Sequence, residues 1–221
     1  MNTKSVMSIP SATTYPWLLK KHYAKRVPQI THSFGVFVNG VIQGVCTYGI
    51  PPSPPLTMGI CGKRYKDIVL ELNRLCLINQ HDKNLASYFV SKTLDLLPKP
   101  MIVVSYADTS MGHVGYVYQA TNFLYTGLSD KNINWQELGV NTHSRNVVRK
   151  YSHSERISRP DKFIKLDRPR KHRYVYFCGT RRDKKELRKA LRYDIFAYPK
   201  GETKKYMDQT IVAQQTIFNL E

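Results

Sequence analysis

Residues Glu71–Gly127 read ELNRLCLINQHDKNLASYFVSKTLDLLPKPMIVVSYADTSMGHVGYVYQATNFLYTG. The stretch parses as strand, turn, helix, strand, polar turn, helix. Leu70 and Leu72 alternate with Glu71 and Asn73 at the period of a strand, which is predicted over Asp67–Leu77. The phase slips at Arg74-Leu75, as a bulge requires, and a bulge splays a strand and turns backbone groups outward. Asp82-Lys83-Asn84 offers N-cap chemistry for a helix over 84–97, whose apolar stripe (Leu85, Phe89 and Leu96 on one face, Ala86, Val90, Leu94 and Leu97 on the adjoining one) is wide enough to pack on a sheet. Pro98 and Pro100 stop it, and MIVVSY (Met101–Tyr106) is a buried strand by its β-branched run. A helix is predicted from Val114 to Tyr125, closed by Gly127. Strand and helix in alternation imply a mixed α/β fold.

Outward from this unit, residues 1–16 read as a lead-in with little structure. Trp17–Tyr23 reads as a first helix, with Trp17 and Leu18 turned inward and Pro28 marking its limit. Two β-rich runs flank Asn39-Gly40, a hairpin signal because both central residues of the tight turn take positive φ. IPPSPP (50–55) reads as a loop. Past residue 140, Asn132–Ile157 is polar and weakly periodic, Tyr174–Gly179 is a strand, and Arg181–Leu191 is a basic helix. The expected organisation is a core over 1–140 and a basic segment, 141–221, completing the same fold.

The chain has 221 residues and a formal net charge of +18, and 42% of it is hydrophobic, enough for one core. Residues 141–205 hold 21 of the 34 Lys and Arg but 7 of the 16 Asp and Glu. Such a one-sided surface points to nucleic acid. Arg145, Arg149, Lys150, Lys171, Arg173, Arg181, Arg182 and Lys185 are the candidates to neutralise phosphates, with Tyr151, Tyr174, Tyr176 and Tyr193 interleaved to stack on exposed bases. The four cysteines show no CxxC spacing, which argues against a structural zinc site. There is no secretory pattern and no apolar run long enough for a membrane span, so free thiols in a reducing cytoplasm are expected.

Three constellations carry chemistry. Arg74 with the turn to Asn84 and Ser87 forms a candidate phosphate cradle, since a helix start presents unpaired N–H groups; an ordinary capped helix fits equally. Asp108 closes a strand where open sheets place ligands, and Tyr118 follows on the next helix. Asp108 can take a proton from an amine, bind a cation, or simply cap; Tyr118 can donate to a developing oxyanion or fill the core. His22-Tyr23 would add to these a mixed N/O set able to hold iron or another transition metal (His22, Asp108, Tyr118), although the spacing does not demand one.

LELNRL, KNLASYF, VVSYADTSMGHVGYVYQATNFLYTG and KHRYVYFCGTRRDKKELRKALRYDIFAYPKG together resemble the phage Mom DNA-modification family, within the acyl-CoA N-acyltransferase (GNAT) superfamily, over about Lys21 to Gly201. The resemblance implies a GNAT-like mixed central sheet flanked by helices, with a basic C-terminal extension. It implies an enzyme of the host cytoplasm that converts adenine N6 in double-stranded DNA to a carbamoylmethyl-type (N6-methylcarbamoyl) adduct, protecting the DNA from host restriction endonucleases. By position, His22, Tyr23, Asp108 and Tyr118 match the family's active site, and Arg74 and Ser87 its donor site. The donor would be acyl-CoA or another activated acyl donor, although the turn at Lys83–Ser87 lacks the usual glycines. Two rival readings are a non-catalytic DNA-binding protein on the same fold and a GNAT acting on tRNA or a small amine.

Overall fold

The computed structural model describes residues 3–140 and 144–201. Nine strands, β1 (Lys4–Ser8), β2 (His32–Val38), β3 (Val41–Gly49), β4 (Val69–Leu77), β5 (Met101–Asp108), β6 (Leu124–Leu128), β7 (Asn132–Glu137), β8 (Phe163–Arg168) and β9 (Lys171–Cys178), form two sheets. The large one has the order β1-β2-β3-β4-β5-β9-β6; β7 and β8 form a two-stranded ribbon. Only the β4–β5 contact is parallel within the large sheet. The helices are α1 (Ser11–Pro16), α2 (Pro54–Cys61), α3 (Leu85–Leu96), α4 (Tyr116–Ala120), α5 (Ser144–Lys150), α6 (His153–Ser158) and α7 (Arg181–Ala190). The mixed sheet flanked by helices is the architecture expected from the sequence.

Alternation along β5 assigns its two faces. Val103 and Ala107 pack with Leu85, Phe89, Val90 and Leu94 of α3. Ile102 and Val104 pack with Ile60 of α2 and Leu187 of α7. A strand covered on both sides reads as a continuous apolar run, which is why MIVVSY was legible. The Asn39-Gly40 turn forms as expected, with φ of 50° and 79°.

Several expectations fail for stated reasons. The lead-in is ordered: β1 adds to the β2 edge through main-chain pairing, which leaves little side-chain signal. IPPSPP yields its last two residues to α2, where proline suits the first helical turn. The first helix starts earlier, at Ser11, and ends as a π-helical turn over Trp17–Lys21 that buries Leu18. The helix predicted to Tyr125 stops at Ala120. Asn122 turns left-handed (φ 60°), and Leu124 and Tyr125 belong to β6, beside β9. Their helical spacing was incidental, because pairing with a strand some fifty residues away decides the local conformation.

Gly115 starts α4 at φ 82°, and a Cβ there would lie 2.5 Å from the Tyr174 ring. Gly115→Ala is expected to cost at least about 1–3 kcal/mol for the backbone alone, with the ring clash added. A lowered urea midpoint at unchanged slope checks it; an unchanged midpoint would contradict the packing of α4 on β9.

Candidate functional site

β4 and β5 pair only at Val69–Ile102, Leu70–Val103 and Glu71–Val104, though β4 continues to Leu77 and β5 to Asp108. Beyond Glu71 the strands part, and the cleft between them opens a run of backbone groups. The first freed carbonyl, Leu72, is met by the buried Ser105 hydroxyl at 2.9 Å. Leaving such a group unpaired would cost about 1–3 kcal/mol. The bulge falls at Asn73, one residue before the phase slip: Thr47 pairs with Arg74 and Tyr48 with Leu72. The Asn73 amide donates to the Gln29 carbonyl (3.0 Å), tying the segment that follows His22 and Tyr23 to β4.

The π-helical turn ends with His22 N–H donating to Trp17 O (3.0 Å), and His22 then leaves in an extended conformation. Turns of this kind re-aim the residue that follows them and are frequent at functional sites. His22 Nδ1 accepts from Ala24 N–H (3.0 Å). Burial, with Arg74 and His113 nearby, lowers its pKa to about 4. The ring is therefore neutral at pH 7, with its proton on Nε2, and it presents a donor rather than a base. Tyr23 stacks on it at 4.4 Å and meets His113 edge-on at 6.1 Å. Burial of its hydroxyl and the Asp108 carboxylate raise the Tyr23 pKa, against Arg74 and Arg26. Yet 47% of the residue is exposed.

Asp108 is held on both oxygens. Ser110 N–H and Oγ donate to Oδ1 (3.1 and 2.6 Å), and Lys171 Nζ sits 2.6 Å from Oδ2. Burial opposes its ionisation, but the Lys171 and Ser110 hydrogen bonds and the lysine's charge outweigh it, and its pKa is lowered. Tyr118, on α4, is buried; burial, with Cys46, Tyr23 and Glu71 adding and Ser105 acting the other way, raises its pKa. Its ring packs on Tyr174 and Phe123 at 5.2 and 5.4 Å. The structure thus brings Tyr23 against His22 and within electrostatic reach of Asp108 and Tyr118, beside the point where β4 and β5 part.

It also adds groups that the sequence reading missed. Glu71, at the last rung before the strands part, has its pKa raised by burial, with Arg74, Lys171 and Arg26 acting the other way. Its place in an alternating strand gave no signal; only the divergence of β4 and β5 makes it a cleft residue. Arg74 joins the same cluster. Its Nη1 donates to Asn73 O (2.6 Å), while Nε and Nη2 are buried without a partner among the described residues. Such a guanidinium is open to an anionic or carbonyl oxygen.

The donor set does not fit a transition metal. Lys171 already occupies the cation position on Asp108, and the acceptor nitrogen of His22 is taken by Ala24. Among the described residues no group of three His, Cys, Asp or Glu is placed to hold an ion. Asn84 and Ser87 stand apart from the cleft. Asn84 takes the left-handed backbone a glycine would supply (φ 64°) but makes no side-chain cap, and the Ser87 hydroxyl donates to Asn84 O (3.0 Å). A cleft of about 370 Å³ lies nearby at the β2–β3 tip, lined by Val38, Asn39, Gln80, Asp82 and Leu85, away from the charged cluster.

The basic candidates divide. Arg149 and Lys150 are exposed on α5; Arg181, Arg182 and Lys185 are exposed on α7. Lys171 is bound to Asp108. Arg173 is buried, bonded to Thr126 and stacked 3.5 Å over Tyr193, so it holds β9 to its neighbours rather than a phosphate. The Arg145 side chain lies outside the described residues. Arg181 and Arg182 follow the far end of β9, about 24 Å of strand from Lys171. No helix of the described residues is long and apolar enough to cross a membrane.

The chain is similar to several known proteins. An aminoglycoside acetyltransferase solved with coenzyme A and kanamycin is similar in structure (TM-score 0.45, 15% identity, 84% of this chain and 99% of that one). So is a putative acetyltransferase from Salmonella typhimurium solved with acetyl-CoA (TM-score 0.46, 10% identity, 83% and 98%). In sequence, the chain is 30% identical over 112 residues to the methylcarbamoylase mom of Escherichia phage Mu. That match takes in 48% of this chain and 46% of the relative, so it spans about half the length of each. The family model described as the Mom protein family matches residues 4–200, and the chain belongs to that family.

Proposed function

We propose that this protein is a transferase that places a carbamoylmethyl-type (N6-methylcarbamoyl) group, joined through its carbonyl carbon, on N6 of adenine in double-stranded DNA, so that the DNA resists restriction endonucleases. The observation that carries the reading is the convergence, in the β4–β5 cleft, of His22, Tyr23, Asp108 and Tyr118 with Glu71 and Arg74, on a chain of net charge +18. Membership of the Mom family supports it.

Adenine N6 is a weak nucleophile, because its lone pair is delocalised into the ring. Inside a duplex it is also stacked away, so the base is extruded into the cleft. The half-exposed ring of Tyr23, backed by His22, is a platform for it. As the N6–carbon bond forms and the donor's leaving group departs, the proton shed from N6 passes to Glu71. That carboxylate suits the step: burial makes it more basic, whereas Asp108 is held ionised by Lys171. Asp108 positions Lys171 and the turn to His113. The donor is acyl-CoA or another activated acyl donor. The two free nitrogens of Arg74 would meet its oxygen, and the start of α3 near Asn84 and Ser87 would meet its phosphates.

The locked state of Asp108 also favours a second reading, a non-catalytic DNA-binding protein, and one measurement separates the two. Mass analysis of nucleosides from DNA of cells expressing soluble protein is expected to show a modified adenosine; unmodified adenosine throughout would sink the transferase reading. Glu71→Gln is expected to reduce modification at least about 100-fold, the usual contribution of a general base, with DNA affinity unchanged. Because the Glu71 pKa is raised, wild-type activity should be full above that pKa and fall as pH drops through it; an acid limb identical in Glu71→Gln would remove Glu71 from the step. Arg181→Glu with Arg182→Glu should weaken DNA binding on all sequences and lower the salt slope by about 2. At saturating DNA the rate should hold, since both lie a strand's length from Asp108.

A further inference from the structure

The ribbon of β7 and β8 lies beyond the cleft and takes no part in it. Its pairing keeps the register of β6 and β9: Leu128 pairs with His172, and Asn132 with Arg168. It is therefore the continuation of those two strands as an arm. Pro169 interrupts the ladder because it has no N–H to donate. Arg170 clamps the interruption, donating from Nε to Ser129 O (2.5 Å) and from Nη2 to Leu128 O (3.3 Å). The next residue is Lys171, the partner of Asp108. The root of the arm is thus fixed to the reaction centre.

The inner face of the arm is satisfied. Trp135 and Phe163 pack with Val147 of α5 and with Tyr151, and Glu137 is held by Tyr151 and Lys162 at 2.9 and 3.2 Å. The outer face is not covered. Its cross-strand pairs are Asn132 with Arg168, Asn134 with Leu166, and Gln136 with Ile164. Leu166 and Arg168 are exposed, and no side-chain hydrogen bond joins Asn134 or Gln136 to another described residue. Asn at the centre of a free two-stranded face is a poor strand former, and no described residue hydrogen bonds the Asn134 or Gln136 side chain.

These side chains suit base edges. Asn and Gln match adenine N6 and N7 in the major groove, Arg matches guanine O6 and N7, and an apolar tip meets the thymine methyl. The major groove admits a two-stranded ribbon. Residues 129–170 hold 10 Lys and Arg against 5 Asp and Glu. Of those acids, Glu137 and Asp161 are ion-paired and Glu155 caps α6. The surroundings of the arm are therefore suited to phosphate. Building on the proposed DNA modification, we infer that the outer face of β7 and β8 reads the bases beside the target adenine in the major groove. At about 3.4 Å per strand residue and per base step, Arg168 to Ile164 would cover bases about three to seven steps from the extruded one.

The test compares wild type with Asn134→Ala/Gln136→Ala and with Arg168→Ala in two assays. One selects duplexes by binding from a randomised pool; the other sequences the neighbourhood of modified adenines in cellular DNA. Wild type is expected to show base preferences at these flanking positions. Each variant should lose about five- to 150-fold of that discrimination where its residue reads, while binding of non-cognate duplex and adenine modification in total stay near wild type. Gln136→Asn, which keeps the chemistry and shortens the reach, should shift rather than abolish the preference. Unchanged preferences, or an affinity loss uniform across sequences, would overturn the inference; an assembly seen by light scattering that the variants dissociate would give the face to a second copy of the chain. A wild type that selects sequences but modifies none would leave the ribbon standing and remove the transferase reading.

Discussion

The parting of β4 from β5 after the Glu71–Val104 rung is the constraint on which the rest of the molecule depends. Two parallel strands that stop pairing inside a sheet leave backbone polar groups that must be satisfied or presented to a ligand. The Ser105 hydroxyl satisfies the first of them. The bulge at Asn73 sends one side chain to Gln29, so the opening of the sheet and the placement of His22 and Tyr23 are one event. Without the divergence, Arg74 would pair on through β5 and the Ser105 hydroxyl would not be needed at Leu72 O.

The second dependency is charge. Lys171 lies in the basic part of the chain, but its work is internal: it holds Asp108 ionised at the end of β5. β9 inserts between β5 and β6, so the C-terminal third supplies an inner strand as well as a charged surface. The segment after α7 then crosses back over the site's supports. Phe196 N–H donates to Tyr125 O, Tyr198 OH to Phe123 O, and Gln119 donates to both Tyr174 OH and Pro199 O. The short helix carrying Tyr118 is too brief to be stable alone and is held by these contacts.

Within the site, the groups divide their work by environment. Two carboxylates that both feel Lys171 have opposite shifts: Asp108 is bound and acidic, while Glu71 is buried, without an ion pair among the described residues, and more basic. His22 is neutral because burial and Arg74 disfavour a second positive charge. Pairs of titratable groups pushed apart in this way are what acid–base work at neutral pH requires.

Much was legible in the sequence because it is local. The Asn39-Gly40 hairpin, the apolar run of β5, the amphipathic stripe of α3 and the capped basic helix α7 each follow from residue type and spacing. The His22, Tyr23, Asp108 and Tyr118 set was proposed from a resemblance, not from spacing, since the four come from distant segments. What only the tertiary structure decided depends on pairing between remote strands. It turned Leu124 and Tyr125 from helix to β6, ordered the first residues as β1, and drew Lys171 and Arg173 from a presumed binding surface into internal bonds. It also made Glu71 a cleft residue. The physical reason is that a side chain's role follows from what faces it, and facing residues are set by sheet register and strand divergence, which the sequence does not encode residue by residue.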